Sequence, residues 1–161
     1  MKTFGDLAKP WVAALGVYEP GRPIEEVARE LGMEDAGAMI KLASNENALG
    51  PSPRVVRAMR KAARDMHRYP DGGAFYLRMA LAKKLGLDPD CLIFGCDSNE
   101  MIEFIGHVFL DAGTSIVMAD RAFVVYQLIA NMFQARTIRV PMNRLTHDLD
   151  AMRAALAPDT R

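Results

Sequence analysis

A chain of 161 residues, half of them hydrophobic and a quarter charged, carries enough apolar material for a packed core and too much for a disordered chain. Its twenty basic and twenty acidic residues cancel, which leaves no electrostatic reason to expect nucleic acid or an anionic membrane as partner. No apolar run approaches the roughly 20 residues that cross a bilayer. The N-terminus also lacks the apolar stretch of a secretory signal, so a cytoplasmic location is expected. Cys91 and Cys96 form no C-x-x-C pair, and are expected to be small buried or half-buried thiols in a reducing compartment.

In chain order, residues 4–15 carry a helical pattern interrupted by Pro10. A second helix begins at Pro23, a favourable first helical position, and stops at Gly32. Residues 39–53, rich in Asn, Ser, Gly and Pro, read as an ordered loop. Ser52 and Pro53 then make a cap and first turn. The helix they open sets Val55, Val56, Met59, Ala62, Ala63 and Met66 opposite Arg57, Arg60, Lys61 and Arg64. Residues 68–73 break it, and a further helix over 74–85 is closed by Gly86.

From residue 88 the rhythm changes. Strands over 91–94, 115–119 and 137–140 alternate with helices over 98–110, 124–133 and 149–156. In the helix over 98–110, Met101, Ile102, Ile105, Val108 and Phe109 are expected to face inward. Such alternation predicts parallel βαβ units and an α/β fold class. The chain divides into three stretches: 1–38, an N-terminal arm with helices; 39–87, a loop with helices; and 88–161, an incomplete α/β portion.

The three histidines, His67, His107 and His147, stand apart from one another and from the cysteines, so no metal site is expected. No Walker loop or G-x-G-x-x-G occurs. The stretch G-C-D-S-N-E at 95–100 joins a predicted strand to a predicted helix and has two readings. Free amides at a helix N-terminus make a seat for phosphate. Alternatively Asp97 caps the helix and Glu100 reaches back, as in a capping box. The two coexist, because they use different amides. Phe123 and Tyr126, just after the second strand, are either core residues or a stacking surface for a flat cofactor.

Four segments together resemble histidinol-phosphate aminotransferases. K-L-A-S-N-E-N-A-L-G-P-S-P at 41–53 is similar to the family's N-E-N-P-x-G-P-S-P, and R-Y-P-D at 68–71 to its R-Y-P-[DE]. G-C-D-S-N-E at 95–100 resembles G-N-G-S-[DN]-E, and A-F-V-V-Y at 122–126 resembles T-[FY]-x-x-Y. All four stand in the family's order and at its spacing. The resemblance implies an α/β fold of the fold-type-I pyridoxal-phosphate transferases, present here as the N-terminal helical segment and the first βα units of the large domain. It implies pyridoxal 5'-phosphate as cofactor and a homodimer whose sites form across the interface. A phosphorylated amine, with 2-oxoglutarate and glutamate as the other pair, is the implied substrate, in histidine biosynthesis.

By the same resemblance, the backbone of Asp97, Ser98 and Asn99 would hold the cofactor phosphate, and Phe123 would stack on the ring. Tyr69 would reach the phosphate in the neighbouring subunit, while Asn45 and Asn47 would lie near the substrate. This chain departs from the pattern in having Asp97 where the family has Gly, Cys96 for Asn, and Ala48 and Leu49 for Pro and a frequent Tyr. The family's Schiff-base lysine follows a serine in S-x-x-K. The lysines here are Lys2, Lys9, Lys41, Lys61, Lys83 and Lys84, and none has that setting. The expectation is therefore the N-terminal part of a longer enzyme, inactive by itself, with an incomplete sheet that bares apolar edges. Threonine-phosphate decarboxylases resemble the same motifs. A non-catalytic phosphate-binding α/β remnant is the reading from a different class.

Overall fold

A computed structural model describes residues 3–18 and 20–161. In chain order the helices are α1 (Pro10–Ala13), α2 (Ile24–Glu30), α3 (Pro53–Ala62), α4 (Phe75–Leu85), α5 (Ser98–Phe109), α6 (Val124–Met132) and α7 (Leu149–Ala154). The strands are β1 (Ser115–Ala119) and β2 (Arg136–Val140), and short 3-10 turns lie at Phe4–Leu7, Ala36–Ala38, Ala63–Asp65 and Pro89–Cys91. Two compact units result: residues 20–92, and residues 93–161 with 3–18. No helix among the described residues is long and apolar enough to cross a membrane.

In the unit of residues 20–92, side chains at the helix ends account for most boundaries. Glu25 and Glu26 sit in the first turn of α2 and Arg29 in its last, each favourable to the helix dipole. Ser52 Oγ accepts from the Arg54 N–H at 3.3 Å, with Pro53 in the first turn, so α3 starts where its cap dictates. Its apolar face is uncovered: no residue of α3 is buried, and Met59 is 67% exposed. Helix α4 ends at Gly86, whose φ of 67° a side chain would strain.

The strand expected over 91–94 does not form. Cys91 closes the turn Pro89–Cys91, capped by Asp88, and residues 92–94 belong to no sheet. A strand needs a neighbour for its ladder, and none of the described residues supplies one. The Arg78 guanidinium instead donates to the carbonyls of Pro89 (2.9 Å) and Leu92. The cysteines also differ from expectation. Both are exposed, because Cys91 lies on that turn and Cys96 in the loop before α5 rather than in a sheet.

The other unit contains the expected βαβ element. Strands β1 and β2 pair in parallel, from Ser115↔Arg136 to Ala119↔Val140, with α6 as the connection. Met118, Ala119, Val125, Ala130, Ala135 and Val140 form its buried apolar centre. Helices α5 and α6 meet at Gly106, where an added Cβ would fall 2.5 Å from the Phe133 ring and 2.7 Å from Ile129 Cγ2. Trp11 Nε1 donates to the Met132 carbonyl at 3.2 Å, tying α1 to the end of α6.

The inward face expected for α5 is only partly covered. Gly106 is buried and Met101 and Ile102 are half-buried, whereas Ile105, Val108 and Phe109 are 54%, 71% and 54% exposed. Two strands are too narrow a sheet to shield the whole stripe. On the far side of α7, the chain returns to β1. The Ser115 N–H donates to the Asp159 carbonyl at 2.9 Å, and the Arg161 N–H donates to the Ser115 carbonyl at 3.0 Å. The Arg136 guanidinium holds both carboxylate oxygens of Asp159, at 3.0 and 2.9 Å.

Gly106→Val should lower stability by about 1–3 kcal/mol through overpacking of the α5–α6 contact, read as a lower urea midpoint; an unchanged midpoint would exclude the close approach. The hydrogen bond from Arg136 holds the Asp159 carboxyl below the usual carboxylate range. The pair's contribution is therefore complete above the ordinary aspartate value and fades as pH falls through the lowered one. In a carbon-detected NMR titration, Arg136→Gln should move Asp159 back up toward its ordinary value.

Candidate phosphate and cofactor site

The N-terminus of α5 is built by three acidic and small residues acting together. At Gly95 a Cβ would lie 2.8 Å from both Glu100 Oε2 and Met101 Sδ, so the chain passes under these side chains only because it has none of its own. Asp97 is extended at the N-cap, and its Oδ1 accepts from the Glu100 N–H at 3.0 Å. The Glu100 carboxylate turns back and accepts from the Cys96 N–H. This is the anticipated cap shifted by one residue, since the returning carboxylate takes the amide before the N-cap rather than the N-cap's own.

That shift leaves three consecutive amides available. Among the described residues, no acceptor is bonded to the N–H groups of Asp97, Ser98 or Asn99. They lie at the positive end of a helix of twelve residues, the arrangement that favours an anion. The Asp97 carboxylate does not point its charge freely into that space, because one oxygen is spent on the Glu100 amide.

Phe123 immediately precedes α6, with Asp120 to Ala122 intervening between it and Ala119, the buried carboxyl-terminal residue of β1. It is 41% exposed and meets Tyr126 edge to face, with centroids 6.0 Å apart and ring planes at 87°. An edge contact of this kind leaves a ring face of Phe123 unstacked by Tyr126.

Asn45, Asn47 and Tyr69 belong to the unit of residues 20–92. The Asn47 side chain is committed locally: its Nδ2 donates to the Gly50 carbonyl at 3.0 Å, and its Oδ1 accepts from the Leu49 N–H at 3.1 Å. It therefore shapes the tight turn that Gly50, at φ 73°, completes. Asn45 is exposed, and Tyr69 is exposed in full. The part played by Asp71 is not among the sequence expectations, although its setting before two glycines is the signal of an Asx turn. Its Oδ1 accepts from Gly73 N–H at 3.0 Å and its Oδ2 from Phe75 N–H at 2.7 Å, so it both turns the chain after Tyr69 and caps α4. No group of three metal-binding side chains occurs among the described residues.

Comparison with known proteins gives this geometry a setting. No family model matches the chain. Over 156 residues, 97% of this chain, it is 47% identical to a histidinol-phosphate aminotransferase of Methylobacillus flagellatus, covering 42% of that protein. A second relative, from Nitrosospira multiformis, is 45% identical over 97% of this chain and 40% of its own length. The chain is homologous to histidinol-phosphate aminotransferases. It spans about two-fifths of the length of those relatives.

Among solved structures, a histidinol-phosphate aminotransferase from Sinorhizobium meliloti, in complex with pyridoxal-5'-phosphate, superposes with a TM-score of 0.75. It is 26% identical, over 92% of this chain and 38% of the other. An N-succinyldiaminopimelate aminotransferase from Mycobacterium tuberculosis (TM-score 0.65, 20% identity) shares the fold over 86% of this chain. The chain is thus a partial fold-type-I aminotransferase fold: helices with a small parallel sheet that covers only part of its structural neighbours.

The cap can be tested directly. Asp97→Ala should destabilise the first turn of α5 by about 1 kcal/mol, seen as faster exchange of the Glu100 amide. Unchanged exchange would mean that the Asp97 carboxylate does not hold that turn.

Proposed function

We propose that these residues are part of a longer pyridoxal-phosphate-dependent aminotransferase that converts histidinol phosphate with 2-oxoglutarate and glutamate as the other pair, in the cytoplasm, for histidine biosynthesis. The observation that carries this reading is the run of three unpartnered amides at Asp97, Ser98 and Asn99, within a chain that is homologous to aminotransferases along nearly its whole length. Three N–H donors at a helix N-terminus fit a phosphate dianion, so the residues present suit the cofactor's phosphate end. When bound, pyridoxal phosphate supplies the electron sink for the amino-group transfer.

The chain's own residues bind and orient. The amides of Asp97, Ser98 and Asn99 would hold the phosphate oxygens, and the Asp97 carboxylate, kept on the Glu100 amide, would stay off them. The open face of Phe123 would lie against the cofactor ring. Full exposure of Tyr69 supports a role across a subunit boundary, where it would reach the phosphate held by the other copy of a homodimer. Asn47 would hold the substrate loop in shape through Leu49 and Gly50, with exposed Asn45 beside it to meet a phosphorylated amine. Residues 1–38 would then act as an N-terminal arm, 39–87 as the interface region, and 88–161 as the first part of the cofactor-binding domain. None of the chain's six lysines stands in an S-x-x-K setting, so covalent attachment of the cofactor falls to residues beyond these 161.

A threonine-phosphate decarboxylase is the second reading, because both substrates pair an amine with a phosphate. The test is the full-length product of the native gene, assayed with histidinol phosphate plus 2-oxoglutarate and, separately, with threonine phosphate. Glutamate formation dependent on histidinol phosphate is the expected outcome. Carbon dioxide release from threonine phosphate would transfer the assignment, and inactivity on both with no bound cofactor would favour a phosphate-binding remnant.

A further inference from the structure

One residue bounds the three open amides at the head of α5 on both sides. On their N-terminal side, the Cys96 N–H donates to the Glu100 carboxylate. On their C-terminal side, the Glu100 N–H donates to Asp97 Oδ1 at 3.0 Å, and the Met101 N–H follows with the Asp97 carbonyl at 3.3 Å. Glu100 is half-buried, whereas Cys96, Asp97, Ser98 and Asn99 are exposed.

The three amides are not held in the same way. Ser98 and Asn99 lie within α5, so helical geometry aims their N–H groups along its axis. The Asp97 N–H lacks that constraint. It belongs to the planar peptide unit that joins Cys96 to Asp97, and Asp97 itself is extended, with φ −154° and ψ −173°. Restraint comes from the residue before it, whose N–H is tied to a side chain of α5. Gly95 permits the tie, since a Cβ there would lie 2.8 Å from Glu100 Oε2. A hydrogen bond weakens steeply once its angle falls below about 120°. An Asp97 amide free to swing would therefore leave the seat with two effective donors.

Two effects of Glu100 oppose each other at this seat. Its negative charge repels an anion, and its tie directs a donor toward one. The charge is offset by the amide that it holds and by the positive end of α5, so the tie is the larger effect. We propose that Glu100 is a positioning residue for the cofactor phosphate, aiming the Asp97 N–H into the space that the Ser98 and Asn99 amides share. The inference rests on the reading of these residues as part of a pyridoxal-phosphate-dependent enzyme. It adds to that reading a carboxylate that acts through the backbone and touches neither cofactor nor substrate. Gly95 belongs to the same device, because a side chain there would push the carboxylate off the Cys96 amide.

The test is titration of the apo full-length protein with pyridoxal 5'-phosphate and, separately, with pyridoxal, which lacks the phosphate. Glu100→Ala should weaken pyridoxal phosphate binding about three- to tenfold and leave pyridoxal binding unchanged. Glu100→Gln keeps an acceptor oxygen without the charge and should restore most of the loss. Gly95→Ala should match Glu100→Ala, and the double variant should lose no more than either, because both changes break one contact. Gly95→Ala carries the same comparison if Glu100→Ala does not yield folded protein. Equal weakening for both ligands would mean a general loosening of the fold and overturns the positioning role. Unchanged or tighter pyridoxal phosphate binding by Glu100→Ala overturns it too, as does a glutamine variant that restores nothing. The histidinol phosphate assay on the unaltered protein separates the two ideas. Glutamate formation with Glu100→Ala still binding normally removes only the role of Glu100, and the expected binding pattern without glutamate formation removes only the function. An unaltered protein that binds no pyridoxal phosphate overturns both.

Discussion

Ser115 holds the second unit of this chain together. It is buried completely, at the start of β1, paired with β2 on one side and with the returning chain on the other. Its N–H, its carbonyl and its hydroxyl are all engaged, the last with Thr160 Oγ1 at 3.0 Å. A buried residue with no unsatisfied polar group can serve as a fixed origin for the chain beyond it. From that origin β1 carries the chain to Phe123, α6 packs against α5, and β2 returns in register. The candidate phosphate seat depends on this frame, because α5 packs against α6 at Gly106.

The helix boundaries of this chain are legible in its sequence, because their causes are local. Ser52 and Pro53, Asp97 and Glu100, and Gly86 each satisfy or release backbone groups within four residues of themselves, so a short window contains the whole interaction. The β1–α6–β2 unit is legible for a related reason: its apolar runs and the helix between them fit one geometry. The strand over 91–94 and the inward face of α5 are not. Both expectations take apolar character as burial, and burial needs something to cover it. Ile105, Val108 and Phe109 have the right spacing and too little sheet in front of them. Cys91 and Cys96 fall under the same argument.

The site divides similarly. The cap and the free amides follow from residue types at fixed offsets, and the structure contains both. The offset of one residue in the Glu100 contact is not legible, since it depends on how Gly95 lets the backbone pass beneath the side chain. The roles proposed for Asn45 and Tyr69 come from resemblance, and their exposure agrees with those roles without naming a partner. Asn47 carries information of its own: both ends of its amide are committed to the loop, which makes it a shaping residue first.

The contact at Gly106 reaches further than its size suggests. Its distance in sequence from Ser98 makes a lever of about 12 Å along the helix axis. The fulcrum is a point where α5 touches Ile129 and the Phe133 ring with no side chain between. Any tilt forced there is magnified at the far end, among the amides of Asp97, Ser98 and Asn99. Phe123 stands at the head of the helix that supplies the fulcrum. The placement of these amides relative to the exposed Phe123 ring therefore depends on a residue that touches neither.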